Sequence, residues 1–206
     1  MKTGLRSLLF TAFIVLGSLA AFAQAPAAVN QDRIKVLKPP VGAKVAIVVF
    51  EDLQCPDCAR AHPLVKQVAE TQKVPVVHHD FPLSMHPWAR QAAIFGRYFD
   101  TKGAKLGDAF RTYIFQNQAS ITLDNFKSMV DKFVKDNGTA LPFLLDPGKK
   151  LEAKVDADVA LGKKIGIQHT PTIFVVSNSK TKAEPFVEVV DRSQLTQMIQ
   201  DMKNAK

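Results

Sequence analysis

Cysteine is nearly absent: the 206 residues contain only Cys55 and Cys58. A disulfide-stapled framework needs several bridges, and a structural zinc site needs four ligands, usually two cysteine pairs or one pair with a spaced histidine pair. Neither pattern occurs. The five histidines are scattered, and the adjacent His78 and His79 fall on opposite sides of an extended strand. Long basic runs and basic–aromatic interleaving are also missing despite a formal net charge of +8, which argues against a nucleic-acid partner. No apolar stretch reaches the ~20 residues that a membrane-spanning helix needs. There is no internal repeat and no low-complexity tract. What remains is ordinary globular composition, 47% hydrophobic and 22% charged, at a length suited to one domain or one domain with a large insertion.

The first residues are a leader. Lys2 and Arg6 precede the short apolar run Leu8–Leu16, and Ala21 and Ala23 place small residues where a signal peptidase reads them. Residues 1–23 are expected to be a cleaved signal peptide. No cysteine follows the apolar run, so no lipid anchor is expected, and the mature protein is expected in the periplasm. An oxidising compartment lets a cysteine pair form and keep a disulfide. As a staple this pair has little value, because a bridge stabilises by closing a long loop and this one closes almost none.

Residues 24–43 are a polar, proline-containing lead-in, with Arg33–Leu37 expected to form a short edge strand. Val45–Phe50 ("VAIVVF") is a β-branched run typical of a strand buried on both faces. A helix is expected over 56–72, kinked at Pro63, followed by a strand over 74–81; strand, helix and strand make a right-handed βαβ unit. From residue 82 to 166 the apolar spacing is helical in four stretches, 86–100, 104–117, 122–138 and 149–166, with Thr122 as an N-cap and Gly138 as a stop. Trp88, Phe95, Tyr98, Phe110 and Phe115 are expected in the core of these helices. Strand character returns over 172–176 and 186–190, separated by a turn at 177–182. Asp191 or Ser193 caps a final amphipathic helix.

The pair sits where this pattern passes from strand to helix. Residues i and i+3 share a helix face, close enough for an S–S bond. Cys55 at the helix N-terminus has unpaired backbone N–H groups and the positive end of the macrodipole beside it, both of which favour a thiolate. Cys58, one turn deeper, is expected to be more shielded. One sulfur then attacks and the other resolves the mixed disulfide. A copper site made from the pair plus one histidine fits the same arithmetic. In "QHTPTIFVV", Pro171 precedes a buried strand; a cis bond there leaves the Thr170 backbone free to pair with an extended substrate, while a strand-initiating trans proline fits the sequence equally.

Taken together, "VAIVVFEDLQCPDC", Pro63 five residues after the second cysteine, and the Thr-Pro before the third main strand resemble the thioredoxin superfamily. The helical block, "DFPLSMHPWARQAA" and "GKKIGIQHTPTIFVV" are similar to its DsbA-like bacterial branch of thiol:disulfide oxidoreductases. The resemblance implies an α/β thioredoxin fold with an inserted helical domain: 44–82 as its first part, 83–166 as the insertion, and 167–206 as its closing part. It implies Cys55 as nucleophile, Cys58 as resolving thiol, and Thr170 with a cis Pro171 facing them. Protein substrates in reduced or oxidised form, a membrane redox partner that recycles the pair, and no cofactor or metal follow from the same likeness. With no dimerisation segment before the fold, a monomer is expected. The runner-up is a metal or copper relay module on the same fold.

Three departures qualify the likeness. Gln54 stands where many thioredoxins have Trp. Val49 replaces the buried acid common six residues before the first cysteine, leaving Glu51 and Asp52 as substitutes. Pro56-Asp57 replaces the Pro-His of strong oxidants. A free Asp57 carboxylate beside the thiolate would disfavour ionisation, so a moderate oxidant is expected. His169, next but one to Pro171, is a candidate cation for the thiolate; an exposed loop histidine reads the same.

Overall fold

A computed structural model describes residues 25–179 and 185–204, so the expected signal peptide and part of the turn after residue 177 lie outside the described residues. Strand β1 (Val45–Glu51) is buried along its whole length. Its period-2 pleat explains how a continuous apolar run is satisfied on both faces. Val45, Ile47 and Val49 pack beneath helix α2 (Pro56–Gln72) and helix α7 (Leu195–Asn204), against Val65, Val68 and Ile199. Ala46, Val48 and Phe50 meet Leu37, Phe81, Ile165 and Phe174 on the other side. Each such buried aliphatic side chain stabilises the fold by roughly 1.5–3 kcal/mol.

β1 pairs in parallel with β2 (Val76–Asp80), Ile47 opposite Val76, and antiparallel with β3 (Thr172–Ser177), Ile47 opposite Val175. Strand β4 (Phe186–Glu188) completes the order β2-β1-β3-β4. The parallel pair needs a crossover, which α2 supplies, running through Pro63 without interruption.

The lead-in departs from expectation. Residues Ala25–Val36 form helix α1, not a polar coil ending in an edge strand. Over five residues, Ile34 and Val36 fit a strand while Ile34 and Leu37 fit a helix face; tertiary anchors decide between them. Arg33 donates from Nε to the Ile165 carbonyl at 2.9 Å, lies over the Phe174 ring at 5.5 Å, and pairs with Glu188 at 3.4 Å.

Between β2 and β3 lie helices α3 (Ala89–Lys102), α4 (Ala104–Asn117), α5 (Phe126–Asp136) and α6 (Lys150–Lys164). Their core is aromatic, and Trp88, Phe95, Tyr98, Phe110 and Phe115 are all buried in it. Thr122 does not cap α5 directly. It exchanges side-chain–backbone bonds with Asn125 in the turn before the helix (3.2 and 2.8 Å), and Asn125 is the N-cap residue. Gly138 ends the helix with φ +60°, a conformation that a side chain would strain. Gly162 has a packing reason instead: a Cβ there would stand 2.5 Å from the Phe81 ring.

Ion pairs fasten the helices to the sheet. Buried Arg111 grips Asp100 through both terminal nitrogens (2.7 and 2.8 Å) and approaches Glu51 at 3.4 Å. Arg97 pairs with Asp80 and Asp158, and His79 reaches Asp158 at 2.6 Å. Charges this deep persist only because they are paired.

Candidate active site

Cys55 is the N-cap residue of α2 (φ −77°, ψ 122°), and Pro56 opens the helix, where its missing N–H costs nothing. Both cysteines are free thiols, Cys55 7% and Cys58 2% exposed, so the second is the more shielded as expected. The Cys55 thiol donates to the Thr170 carbonyl at 3.2 Å, and the Thr170–Pro171 peptide is cis. Pro171 lines a small cavity behind Cys58 together with Val49, Glu51, His62 and His78. Residues 115 positions apart thus meet at the sulfurs, because β1 and β3 are neighbours.

The two thiols are driven apart. Cys55 is lowered to about 5. The largest cause is a hydrogen bond from the Cys58 thiol; burial opposes it, and Thr170 and the backbone N–H groups of Cys58 and Asp57 add to it. The Thr170 hydroxyl is buried and has no hydrogen-bond partner among the described residues, so of Thr170 only the carbonyl is bonded to the sulfur. Burial pushes Cys58 far up, and the neighbouring Cys55 reinforces this. The helix terminus therefore contributes, but the second cysteine contributes more.

Asp57 is not the free charge expected from the sequence. Its carboxylate receives both terminal nitrogens of Arg192, one at 3.0 Å, and Arg60 at 3.1 Å. Arg192 lies in the short 3₁₀ turn before α7, with Asp191 capping that turn through the Ser193 N–H. The hydrogen bonds and charges of these two arginines hold the Asp57 carboxyl below its usual range. The carboxylate on which the expectation of weakened oxidising power rested is thus ion-paired, its chief partner a guanidinium 135 residues away in sequence. His169 is exposed; its carbonyl accepts from Thr172 Oγ1 at 2.7 Å, and its ring makes no bond to the sulfur among the described contacts.

The acid missing at Val49 reappears two residues on, on the same strand face. Glu51 is buried beside the cavity behind Cys58, bonded to His78 Nδ1 at 2.8 Å. Burial alone would raise its pKa; His78, Arg111 and His62 more than offset this and bring it to about 2. It is locked as a carboxylate. Asp52 is occupied differently, accepting from the N–H groups of Gln54 and Leu83 (both 2.7 Å) and bonding His86 Nδ1 at 2.7 Å.

The inserted helices hold the turn that carries Cys55. Gln54 Oε1 accepts from the Trp88 N–H at 2.8 Å, which gives the residue standing in place of Trp a structural task. Gln118 Nε2 donates to the carbonyls of Leu53 (2.9 Å) and Cys55 (3.1 Å). Neither Gln118 nor Arg192 carried a sequence signal, since a lone polar residue becomes functional only through what the fold brings to it. Among the described residues no three His, Cys, Asp or Glu side chains are grouped to hold a metal, and no helix is long and apolar enough to cross a membrane. A cleft of about 500 Å³ between α2, β2 and the inserted helices shares His62 and His78 with the cavity but is not lined by either cysteine.

Solved structures share this architecture. They include the thiol-disulfide exchange protein alpha-DsbA2 of Wolbachia pipientis (16% identity, 87% of this chain and 98% of that one, TM-score 0.66). The catalytic domain of Proteus mirabilis ScsC matches at 19% identity, 84% and 97% coverage and TM-score 0.66. Pseudomonas aeruginosa DsbA2 matches at 21% identity, 81% and 93% coverage and TM-score 0.57. At these identities the likeness is one of fold, the thioredoxin fold with inserted helices. No curated protein matches significantly. The family model described as Thioredoxin matches residues 41–199, a span that takes in the whole sheet, both cysteines and Pro171, and the chain belongs to the thioredoxin family.

Proposed function

We propose that this protein is an exported thiol:disulfide oxidoreductase that passes a disulfide between its Cys55–Cys58 pair and protein substrates, acting as an oxidant. The observation that carries the reading is the split between the two sulfurs: Cys55 lowered to about 5, Cys58 buried and pushed up. A low-pKa thiolate at a helix start stabilises the reduced pair, and a stabilised reduced form makes the disulfide a better oxidant. Thr170 and Pro171 offer the substrate a backbone edge beside the nucleophile, and the likeness to a thiol-disulfide exchange protein agrees with this chemistry. The leader at residues 1–23 supports a periplasmic location, and a membrane redox partner reoxidises the pair after each turnover. The protein acts as a monomer.

The test is catalysis of disulfide formation in a reduced, unfolded two-cysteine protein by substoichiometric oxidised enzyme. Cys55→Ser should abolish turnover, whereas Cys58→Ser should accumulate mixed disulfides with substrate. Turnover that survives Cys55→Ser would refute the assignment. A protein isolated with copper bound by the pair, and inert towards thiols, would favour the relay reading instead.

A further inference from the structure

Two arginines that neither the motif nor the family likeness assigns meet the Asp57 carboxylate at the start of α2, and one of them comes from outside that helix. Arg192 reaches the start of α2 from the turn before α7 and is held there by Asp57 through both terminal nitrogens. Asp57 is two residues from Cys55 and its backbone N–H is among the groups that favour the Cys55 thiolate, while the Cys58 and Cys55 sulfurs are among the charges that raise the Arg192 pKa. The residue whose main chain adjoins the sulfur therefore anchors a guanidinium through its side chain. Arg192 remains 31% exposed, so it is not trapped by packing and Asp57 is its anchor. Arg60 offers a contrast: it meets the same carboxylate from within α2 but is 68% exposed.

We propose that Arg192 is the cation of this site, held by Asp57 as its positioning residue, and that it stabilises the Cys55 thiolate whenever the pair is reduced. The inference rests on the oxidoreductase reading. In the reaction, a substrate thiolate attacks Cys55 Sγ and breaks the Cys55–Cys58 bond, and Cys58 leaves as a thiolate that takes up a proton. A second substrate thiolate then attacks the substrate sulfur of the mixed disulfide and expels Cys55 as a thiolate. The substrate dithiol loses two electrons and two protons; the pair gains both electrons and one proton, and the other proton goes to solvent. Arg192 favours the product of the second step and its leaving group, since a thiolate of lower pKa leaves faster.

The experiment measures two properties of the purified protein that need no protein substrate: the pH titration of thiolate absorbance at 240 nm, and the equilibrium with glutathione. Arg192→Gln should weaken Cys55 acid dissociation about three- to tenfold and make the pair more reducing by a similar factor. Arg192→Lys should restore most of both, and added salt should shrink the wild-type to Arg192→Gln difference. Arg60→Gln should move neither by more than about twofold. Asp57→Asn separates anchor from repulsion: the shift towards a stronger acid should be larger in the Arg192→Gln background than in wild type, because only in wild type does losing the anchor oppose it. The proposal is overturned if Arg192→Gln leaves both readouts within twofold of wild type, if Arg60→Gln matches it, or if Asp57→Asn has the same effect in both backgrounds. Should wild type fail to oxidise protein thiols while these shifts appear, the oxidoreductase reading falls and the Arg192 assignment stands.

Discussion

Removing the Cys58 sulfur should cost Cys55 its main source of acidity. The strongest influence lowering Cys55 to about 5 is the hydrogen bond donated by the Cys58 thiol. A hydrogen bond to a charged acceptor contributes about 1.5–3 kcal/mol, and S–H is a weak donor, so the lower end applies. At 1.36 kcal/mol per decade, about 1.5 kcal/mol is a tenfold change in acid dissociation. Cys58→Ala should therefore move the Cys55 titration about one pH unit upward, and Cys58→Ser, which keeps a donor, should stay closer to wild type. The assay is thiolate absorbance against pH, with alkylation by iodoacetamide as an independent readout. If the alanine and wild-type curves coincide, the second thiol does not act on the first, and the acidity comes from the other groups around the sulfur, Thr170 and the start of α2.

Redox state and stability should be linked through the same group. Cys55, depressed from 9.0 to about 5, stabilises the reduced fold fully above pH 9 and loses that contribution as pH falls through 5. The difference in melting temperature between reduced and oxidised protein should therefore shift in favour of the reduced form from pH 5 to pH 9. Arg111→Met should destabilise by about 3–5 kcal/mol in urea unfolding, because Asp100 and buried Glu51 lose their shared cation. Glu51 itself, held at about 2, adds stability present above its ordinary range and lost as pH falls towards 2; Glu51→Gln should flatten the acid limb of the stability profile. Gly162→Ala gains helix propensity of about 1 kcal/mol but drives a methyl to 2.5 Å from the Phe81 ring, so a net fall in melting temperature is expected.

Much of this molecule is legible along the chain because its signals are local. The pleat of Val45–Phe50, the helical spacing after residue 86, and a cysteine pair at a strand-to-helix junction each depend on neighbours within a few residues. They place the sheet, the insertion and the nucleophile. The lead-in was not legible for the opposite reason: Arg33–Leu37 fits strand and helix alike, and Ile165, Phe174 and Glu188 decide it from more than 130 residues away. Electrostatics followed the same divide. From the sequence, Asp57 is a lone carboxylate beside a thiolate; in the fold it is the anchor of Arg192. From the sequence, Val49 leaves Glu51 and Asp52 as rival substitutes for the missing acid; in the fold Glu51 takes the same face, locked as a carboxylate by His78 and Arg111, while Asp52 is taken up by Gln54, Leu83 and His86. Local geometry depends on short-range sterics and periodicity, which the order of residues encodes directly. The charge felt at a sulfur depends on every ionised group within a few ångströms, and only chain folding determines which groups those are.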